Sequence, residues 1–284
     1  MRLVLRRLPS RLAMGLLTLA GLVELLRTAL AAFGGKALLW AFDPMVQSRF
    51  TSMGILTGTL RLRQGVQHAY IDEQIYGGAT YTNWGFGVPL LQAPFHYFAF
   101  RVPSHFPARF FPDRAIYAFY FAAMVPLLWV GFDRLLASRS VGPRPRRRVL
   151  SWAATLLAVT CTVYPLMSCR WWIYEETIAY FAVCELAALG AYLLAASSSR
   201  PAVFAGLGAA AGLGLLIRPT GLLYVGVWGA LVILGTRRRA PTGWFAAGLA
   251  PLVGLWLWTN TVRSGSPLRF GLDDSTPWYD YHLP

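Results

Sequence analysis

The side chains best suited to chemistry fall between positions 34 and 113. Asp43 has no other acid near it in the sequence, whereas Asp72 lies beside Glu73. A carboxylate acts as a general base when it reaches an acceptor hydroxyl within hydrogen-bond distance. The alternative for each acid is a solvated loop residue. We take Asp43 and Asp72 as the catalytic candidates.

An aromatic and glycine-rich run, YGGATYTNWGFGVPLLQAPFH, occupies 76–96. Its glycines permit a close-wound backbone. Tyr81 and Trp84 offer flat apolar faces with polar rims, which suit contact with sugar rings or isoprenoid chains. The alternative is an aromatic belt at a membrane interface. Tyr81 and Trp84 are therefore candidate substrate-binding residues.

Several arginines are placed where they could meet a phosphate, with which the planar guanidinium makes bidentate contacts. They are Arg49, Arg170, Arg218 and Arg263. For Arg49 and Arg170 the alternative is a contact with lipid headgroups. The chain has no Gly-Lys phosphate loop and no nucleotide fingerprint, which argues against an ATP-driven machine.

The remaining polar residues indicate no cofactor. The four His show no metal-ligand spacing, so each is expected to be solvated or interfacial. A divalent metal is compatible with the acids, but their spacing does not indicate one. Glu175 and Glu176 precede an apolar run, and acids are favourable at a helix N-terminus in any case.

Seven apolar stretches must position these residues. Apolar residues make up 56% of the chain, and a spanning helix needs roughly 20 of them in succession. The predicted spans are 12–33, 114–132, 149–167, 177–196, 202–216, 221–235 and 243–260. We expect the first to be a retained signal-anchor helix. The predicted fold class is an all-α polytopic membrane protein with about seven transmembrane helices.

The segments between these spans alternate in charge. One set holds 14 Arg and a single acid, Asp133: 1–11, 133–148, 197–201 and 236–242. The other set holds ten Lys or Arg and nine acids: 34–113, 168–176, 217–220 and 261–284. Short basic loops stay in the cytoplasm. The pattern predicts a multi-pass inner (plasma) membrane protein with a cytoplasmic N-terminus and an extracytoplasmic C-terminus. The net charge of +14 is then explained by contacts with membrane lipid, and nucleic-acid binding is not expected.

The long first outer loop, 34–113, is expected to carry its own structure. Apolar residues at 46–60 and 88–100 predict two helices that lie at the membrane interface or re-enter it. The fifth and sixth spans have only 15 residues each, about 22 Å. Arg218, between them, is therefore expected below the outer surface, in a wet cavity or snorkelling. Gly208 and Gly212 have the GxxxG spacing of closely packed helices.

Three stretches jointly resemble bacterial polytopic glycosyltransferases of the C superfamily, the GT-C fold. The first combines QSRFTSMGILTGTL (47–60) with YIDEQIYGGATYTNWGFGVPLLQAPFH (70–96). The others are GLGLLIRPTGLLYV (212–225) and TNTVRSGSPLRFGL (259–272). Proteins of that kind have a long first outer loop, an Arg-Pro after a mid-chain span, and Asn, Arg and Gly-Ser-Pro after a later one.

The resemblance implies inverting transfer of a hexosyl or pentosyl group from a polyprenyl-phosphate carrier. The acceptor would be an envelope glycan or lipid on the outer face. An acid of the first outer loop is the usual base, and here Asp43 and Asp72 fit that position. Arg218, Asn260 and Arg263 match the other stretches and are candidate substrate-binding residues.

The chain departs from that pattern in two respects. Asp43 stands alone where paired acids are usual, and relatives usually continue with further spans. We therefore treat 1–284 as a single transmembrane domain that is expected to be truncated or divergent. The alternatives are a non-catalytic or degenerate protein of the same fold, and a lipid-linked sugar transporter or flippase. A transporter predicts polar sites near mid-bilayer, and Glu24, Arg27 and Glu185 are the ionisable residues well inside the predicted spans.

The predicted topology can be tested by cysteine accessibility. We expect Ser140→Cys to be protected from an impermeant maleimide in intact cells, because it lies in a basic turn. Ser275→Cys should be labelled, because it follows the last span. Labelling of Ser140→Cys from outside would overturn the orientation.

Overall fold

A computed structural model of the chain describes residues 47–64, 73–82, 85–102, 110–162, 173–236 and 239–268. The predicted first span, Asp43, Asp72 and Trp84 lie outside the described residues. Eight helices and three short strands are present in the described part. The chain is therefore mainly helical, as its composition predicts.

Six of these helices form a bundle in which neighbours in the chain run in opposite directions. They are α3 (Asp113–Ser138), α4 (Arg144–Thr162), α5 (Ile173–Ala195), α6 (Pro201–Ile217), α7 (Gly221–Thr236) and α8 (Arg239–Ser264). Helix α6 packs against α5, α7 and α8, and α3 packs against α4 and α5. Because direction alternates, α3 and α5 begin at the end of the bundle where α6 and α8 finish. We call this the loop end, and the opposite one the basic end.

Three of the described helices are long and apolar enough to cross a membrane: Ala115–Ser138, Glu176–Ala195 and Ala240–Ser264. They coincide with the predicted spans 114–132, 177–196 and 243–260, and they are compatible with a helical membrane protein. Pro201–Ile217 and Gly221–Gly235 are apolar but shorter. Helix α4 begins with an Arg-rich turn and is not among the three. Among the described residues, the helices thus account for three of the seven predicted spans at full length.

Glycines bring α6 and α8 into backbone contact. A Cβ at Gly208 would overlap the Phe245 carbonyl oxygen, and a Cβ at Gly248 would overlap that of Ala205. A Cβ at Gly212 would lie 2.8 Å from the Leu252 Cβ. Small residues allow such approach where little hydrophobic force joins helices in lipid. The close packing predicted from Gly208 and Gly212 is confirmed.

The described part of the first outer loop contains two helices at the predicted places. These are α1 (Gln47–Thr57) and α2 (Gly87–Arg101). Helix α2 lies across the loop end, because Gly87 contacts Ile217 of α6 while the Tyr120 hydroxyl of α3 donates to the Leu91 carbonyl at 2.8 Å. It therefore bridges helices that are far apart in sequence.

A small antiparallel sheet completes the described loop, and an all-α fold did not predict it. The strands β1 (Arg63–Gln64), β2 (Glu73–Tyr76) and β3 (Ala79–Thr82) lie in the order β1-β3-β2. Gly77 and Gly78 join β2 to β3 with φ of +57° and +74°. Positive φ at both central residues is the type I′ hairpin geometry. The paired glycines, which by themselves predict only a close-wound backbone, form the turn of a hairpin.

Two glycines of α6 provide a matched test of this packing. Gly208→Ala should lower the free energy of unfolding by about 1–3 kcal/mol, because overpacked side chains force backbone shifts. Gly206→Ala should be neutral or stabilising by up to about 1 kcal/mol, because Ala favours a helix and a Cβ there meets nothing within 4 Å. Thermal unfolding in detergent measures both. Equal midpoints for the two variants would contradict the contact.

Candidate functional site

The described outer loop is attached to the loop end by the last turn of α8. Arg263 donates from Nη1 to the Thr82 carbonyl at 3.1 Å and from Nη2 to Asn260 Oδ1 at 2.8 Å. Its Nε donates to the Thr259 carbonyl at 3.3 Å. Asn260 in turn donates to the Pro267 carbonyl at 3.1 Å. Arg263 is only 9% exposed, and its hydrogen bonds fix the end of β3 to α8.

The end of α6 makes a second attachment, beside Arg218. A Cβ at Gly85 would overlap the carbonyl oxygens of Leu216 and Ile217. At Gly87 it would overlap the Ile217 side chain. Only glycine admits so close an approach of two backbones. The loop therefore runs directly over the residues that precede Arg218.

Arg218 occupies the turn between α6 and α7. Its backbone is extended, its N–H donates to the Gly214 carbonyl at 3.0 Å, and its own carbonyl accepts from Gly221 at 2.8 Å. The side chain is half-buried. Of the three arginine and asparagine candidates, Arg218 is the most open to a ligand.

Tyr81 is positioned by its strand to point into the core. It is 4% exposed and belongs to an apolar cluster with Leu215, Leu216 and Trp256. Its ring therefore packs beneath the loop and forms part of the wall between the loop and α6. Of the seven predicted site residues, the structure brings Tyr81, Arg218, Asn260 and Arg263 to one end of the bundle. The other three lie outside the described residues.

Arg49 makes a buried ion pair that corrects its predicted contact with headgroups or phosphate. Its Nη2 lies 2.7 Å from Asp113 Oδ2, and its Nε lies 3.1 Å from the same oxygen. Arg49 is 7% exposed and Asp113 is fully buried. The pair joins α1 to the first residue of α3. No local pattern could predict it, because 64 positions separate the partners.

His96 is also buried, so the prediction of a solvated His is wrong at this position. Its Nδ1 accepts from the Phe111 N–H at 3.2 Å, while Nε2 has no hydrogen-bond partner in the described part of the chain. Burial lowers the pKa of His96 to about 4; Asp113 opposes this shift and Arg49 adds to it. The ring is therefore neutral at physiological pH.

Glu176 bonds to α2 rather than facing water. Gln92 Nε2 donates a short hydrogen bond to Glu176 Oε1, and the two residues are 0% and 1% exposed. Glu176 and Asp113 are thus buried acids with protein partners. They hold α2 and α1 on the bundle and are poorly placed to take a proton from a substrate.

The loop end therefore contains two polar groups of different character. The first consists of Arg49, His96, Asp113 and Glu176, which are buried. Its contacts join α1 to α3 and α2 to α5. The other, near Arg218, lies where loop and helix ends meet. Within the described residues no three His, Cys, Asp or Glu side chains are grouped as metal ligands.

Comparison with known proteins does not extend this picture. No family model matches the chain, and neither a curated protein nor a solved structure matches it significantly.

His96 should make stability depend on pH. Its folded pKa of about 4 is below its ordinary value of 6.5, so below pH 6.5 the unfolded chain binds a proton that the folded chain refuses. Stability should fall as pH drops from about 6.5 to 4, by up to about 3 kcal/mol. Thermal unfolding across this range, compared with His96→Gln, measures the effect. An unchanged pH profile in His96→Gln would contradict a buried neutral ring.

Proposed function

We propose that this chain is a membrane glycosyltransferase. It moves a sugar from a polyprenyl-phosphate carrier to an envelope acceptor on the extracytoplasmic face, with inversion. The observation that carries the proposal is the closure of the first outer loop over the end of the bundle beside Arg218. That arrangement places loop residues directly beside Arg218, which suits transfer from a lipid-borne donor.

The distribution of charge supports the assignment of sides. The described turns at the basic end, 139–143 and 196–200, carry Arg139 and Arg200, and α4 starts beside the first of them with four arginines. The loop helices and the sheet all lie at the opposite end. By the tendency of basic loops to remain in the cytoplasm, the loop end faces outward. The N-terminus is then cytoplasmic and the C-terminus extracytoplasmic.

Arg218 is recessed relative to the start of α5. A Cβ at Gly214 would lie 3.3 Å from the Phe181 ring, which aligns these two residues across antiparallel helices. Phe181 lies eight residues after Ile173, and Gly214 lies three before Ile217. At about 1.5 Å per residue, α6 ends roughly 7 Å below the first residue of α5. An arginine at such depth suits the phosphate of a carrier whose chain remains in the bilayer.

The proposed reaction needs one base and one cation. The acceptor hydroxyl oxygen attacks the anomeric carbon, a carboxylate takes the hydroxyl proton, and the bond to the carrier phosphate breaks. Arg218 stabilises the departing phosphate, for which the planar guanidinium is suited. Asp43 and Asp72 are the candidate bases, and Asp43 is favoured because it follows the predicted first span closely. Arg263, Asn260 and Tyr81 hold the loop in place.

One observation favours transport as a second candidate function. Glu185 lies in the middle of α5, where its Oε2 accepts from Trp228 Nε1 at 2.9 Å. Its Oε1 is buried without a hydrogen-bond partner in the described part of the chain. Ionisable residues within spanning helices commonly mark transport pathways. A flippase for lipid-linked sugar would use this carboxyl and would not need Asp43 or Asp72.

Transfer from labelled polyprenyl-phosphate sugars in purified membranes tests the proposal. Asp43→Asn or Asp72→Asn should reduce turnover about 10²-fold or more, because the base is lost. Arg218→Lys should weaken carrier binding, because a point charge cannot replace the planar fork. Arg61→Lys is the matched control, since Arg61 is an exposed loop residue, and it should transfer at the parent rate.

Two outcomes would overturn the assignment. Parent-level transfer by the Asp43→Asn, Asp72→Asn double variant would end the catalytic roles of both acids. Absence of transfer by the parent, together with movement of lipid-linked sugar across proteoliposomes that Glu185→Gln abolishes, would establish the transporter alternative.

A further inference from the structure

An open cavity of about 500 Å³, with polar and apolar surface in similar amounts, lies at the basic end, remote from the loop end. It lies between the last turns of α3 and the turn that connects α5 to α6. Its walls consist of two arginines, three serines and an alanine: Arg134, Ala137, Ser138, Ser197, Ser198 and Arg200. Such a lining offers two permanent positive charges and several hydroxyl donors to one ligand.

The arginines of this cavity lack acidic partners in the described part of the chain. Arg134 and Arg200 are exposed, and neither makes a salt bridge there. Asp133, the nearest acid in the sequence, is already engaged by Arg147, with Nε 3.1 Å from Oδ1. Among the residues that the structure describes, no acid balances the positive charge of this cavity. Helix α6 starts at its edge with Pro201, and the positive end of the helix dipole adds to the attraction for an anion.

A second cavity of about 470 Å³ adjoins the first and is mainly apolar. The two share Ser197 and Ser198. Phe204, Pro241 and Trp244 form its apolar wall, and the Trp244 side chain is 48% exposed. A ligand that fills both cavities must therefore have an anionic group joined to an apolar chain.

We propose that these adjoining cavities bind one anionic phospholipid of the cytoplasmic leaflet. Its phosphate lies between Arg134 and Arg200, within reach of the serine hydroxyls. One acyl chain follows Phe204 and Trp244 toward the bilayer. Basic pockets between helices on the cytoplasmic side suit such headgroups. The site is separate from the carrier site and depends on the membrane topology, not on glycosyl transfer.

Native mass spectrometry of the full chain, released from mixed micelles, tests this site. The probes are phosphatidylglycerol and phosphatidylcholine with identical acyl chains. The parent chain should retain one phosphatidylglycerol in preference to phosphatidylcholine. The Arg134→Gln, Arg200→Gln double variant should lose about 25-fold in affinity, since each basic residue contributes roughly a factor of five. Arg144→Gln is the matched control, because it removes an exposed arginine at the same end outside the cavity.

Further arms distinguish the lipid from other anions. Millimolar inorganic phosphate should not displace phosphatidylglycerol, because it cannot occupy the apolar cavity. Trp244→Ala should weaken retention of the lipid without altering its preference for the anionic headgroup. Equal retention of both lipids by the parent chain would overturn the proposal, whatever the folding of the variants. So would displacement by phosphate, or an equal loss in Arg144→Gln.

Discussion

The arrangement of the loop end depends on the close approach of backbones at the two sides of α6. Gly208 admits the Phe245 carbonyl of α8, and Gly85 of the outer loop admits the carbonyls that end α6. In each case a single methyl group would have to displace main-chain atoms. These two close approaches therefore restrict the position of α6 between α8 and the loop. The place of Arg218, directly after α6, follows from that position.

Buried polar contacts supply the second constraint, and they act on elements that apolar packing alone would orient poorly. The Arg49–Asp113 pair fastens α1, and Gln92–Glu176 fastens α2. Removing one partner from a buried pair typically costs about 3–5 kcal/mol, because the remaining charge is stranded. These contacts therefore specify where the loop helices lie.

The sequence predicted what depends on local composition. Spans at 114–132, 177–196 and 243–260 and the two loop helices follow from apolar runs, and Gly208 follows from its spacing. It did not predict contacts between distant positions, such as Arg263 with Thr82, because no local signal pairs residues 181 apart. The hairpin at Gly77 was missed although its turn residues were visible. At the candidate site, the contacts of Arg49 with Asp113 and of His96 with Phe111 could not be predicted from the sequence and are seen only in the structure.

The hydrogen bond from Arg263 to the Thr82 carbonyl also has a consequence for the order in which the fold assembles. Thr82 is made early, and its partner follows 181 positions later. At about 5–20 residues per second, roughly 10–40 s of synthesis separate them. During that interval the strand end lacks its anchor on α8, and the glycine segment at 85–87 lacks the end of α6 for most of it. The loop can therefore dock only after α6 and α8 have been made, so that closure of the loop end follows the synthesis of these two helices.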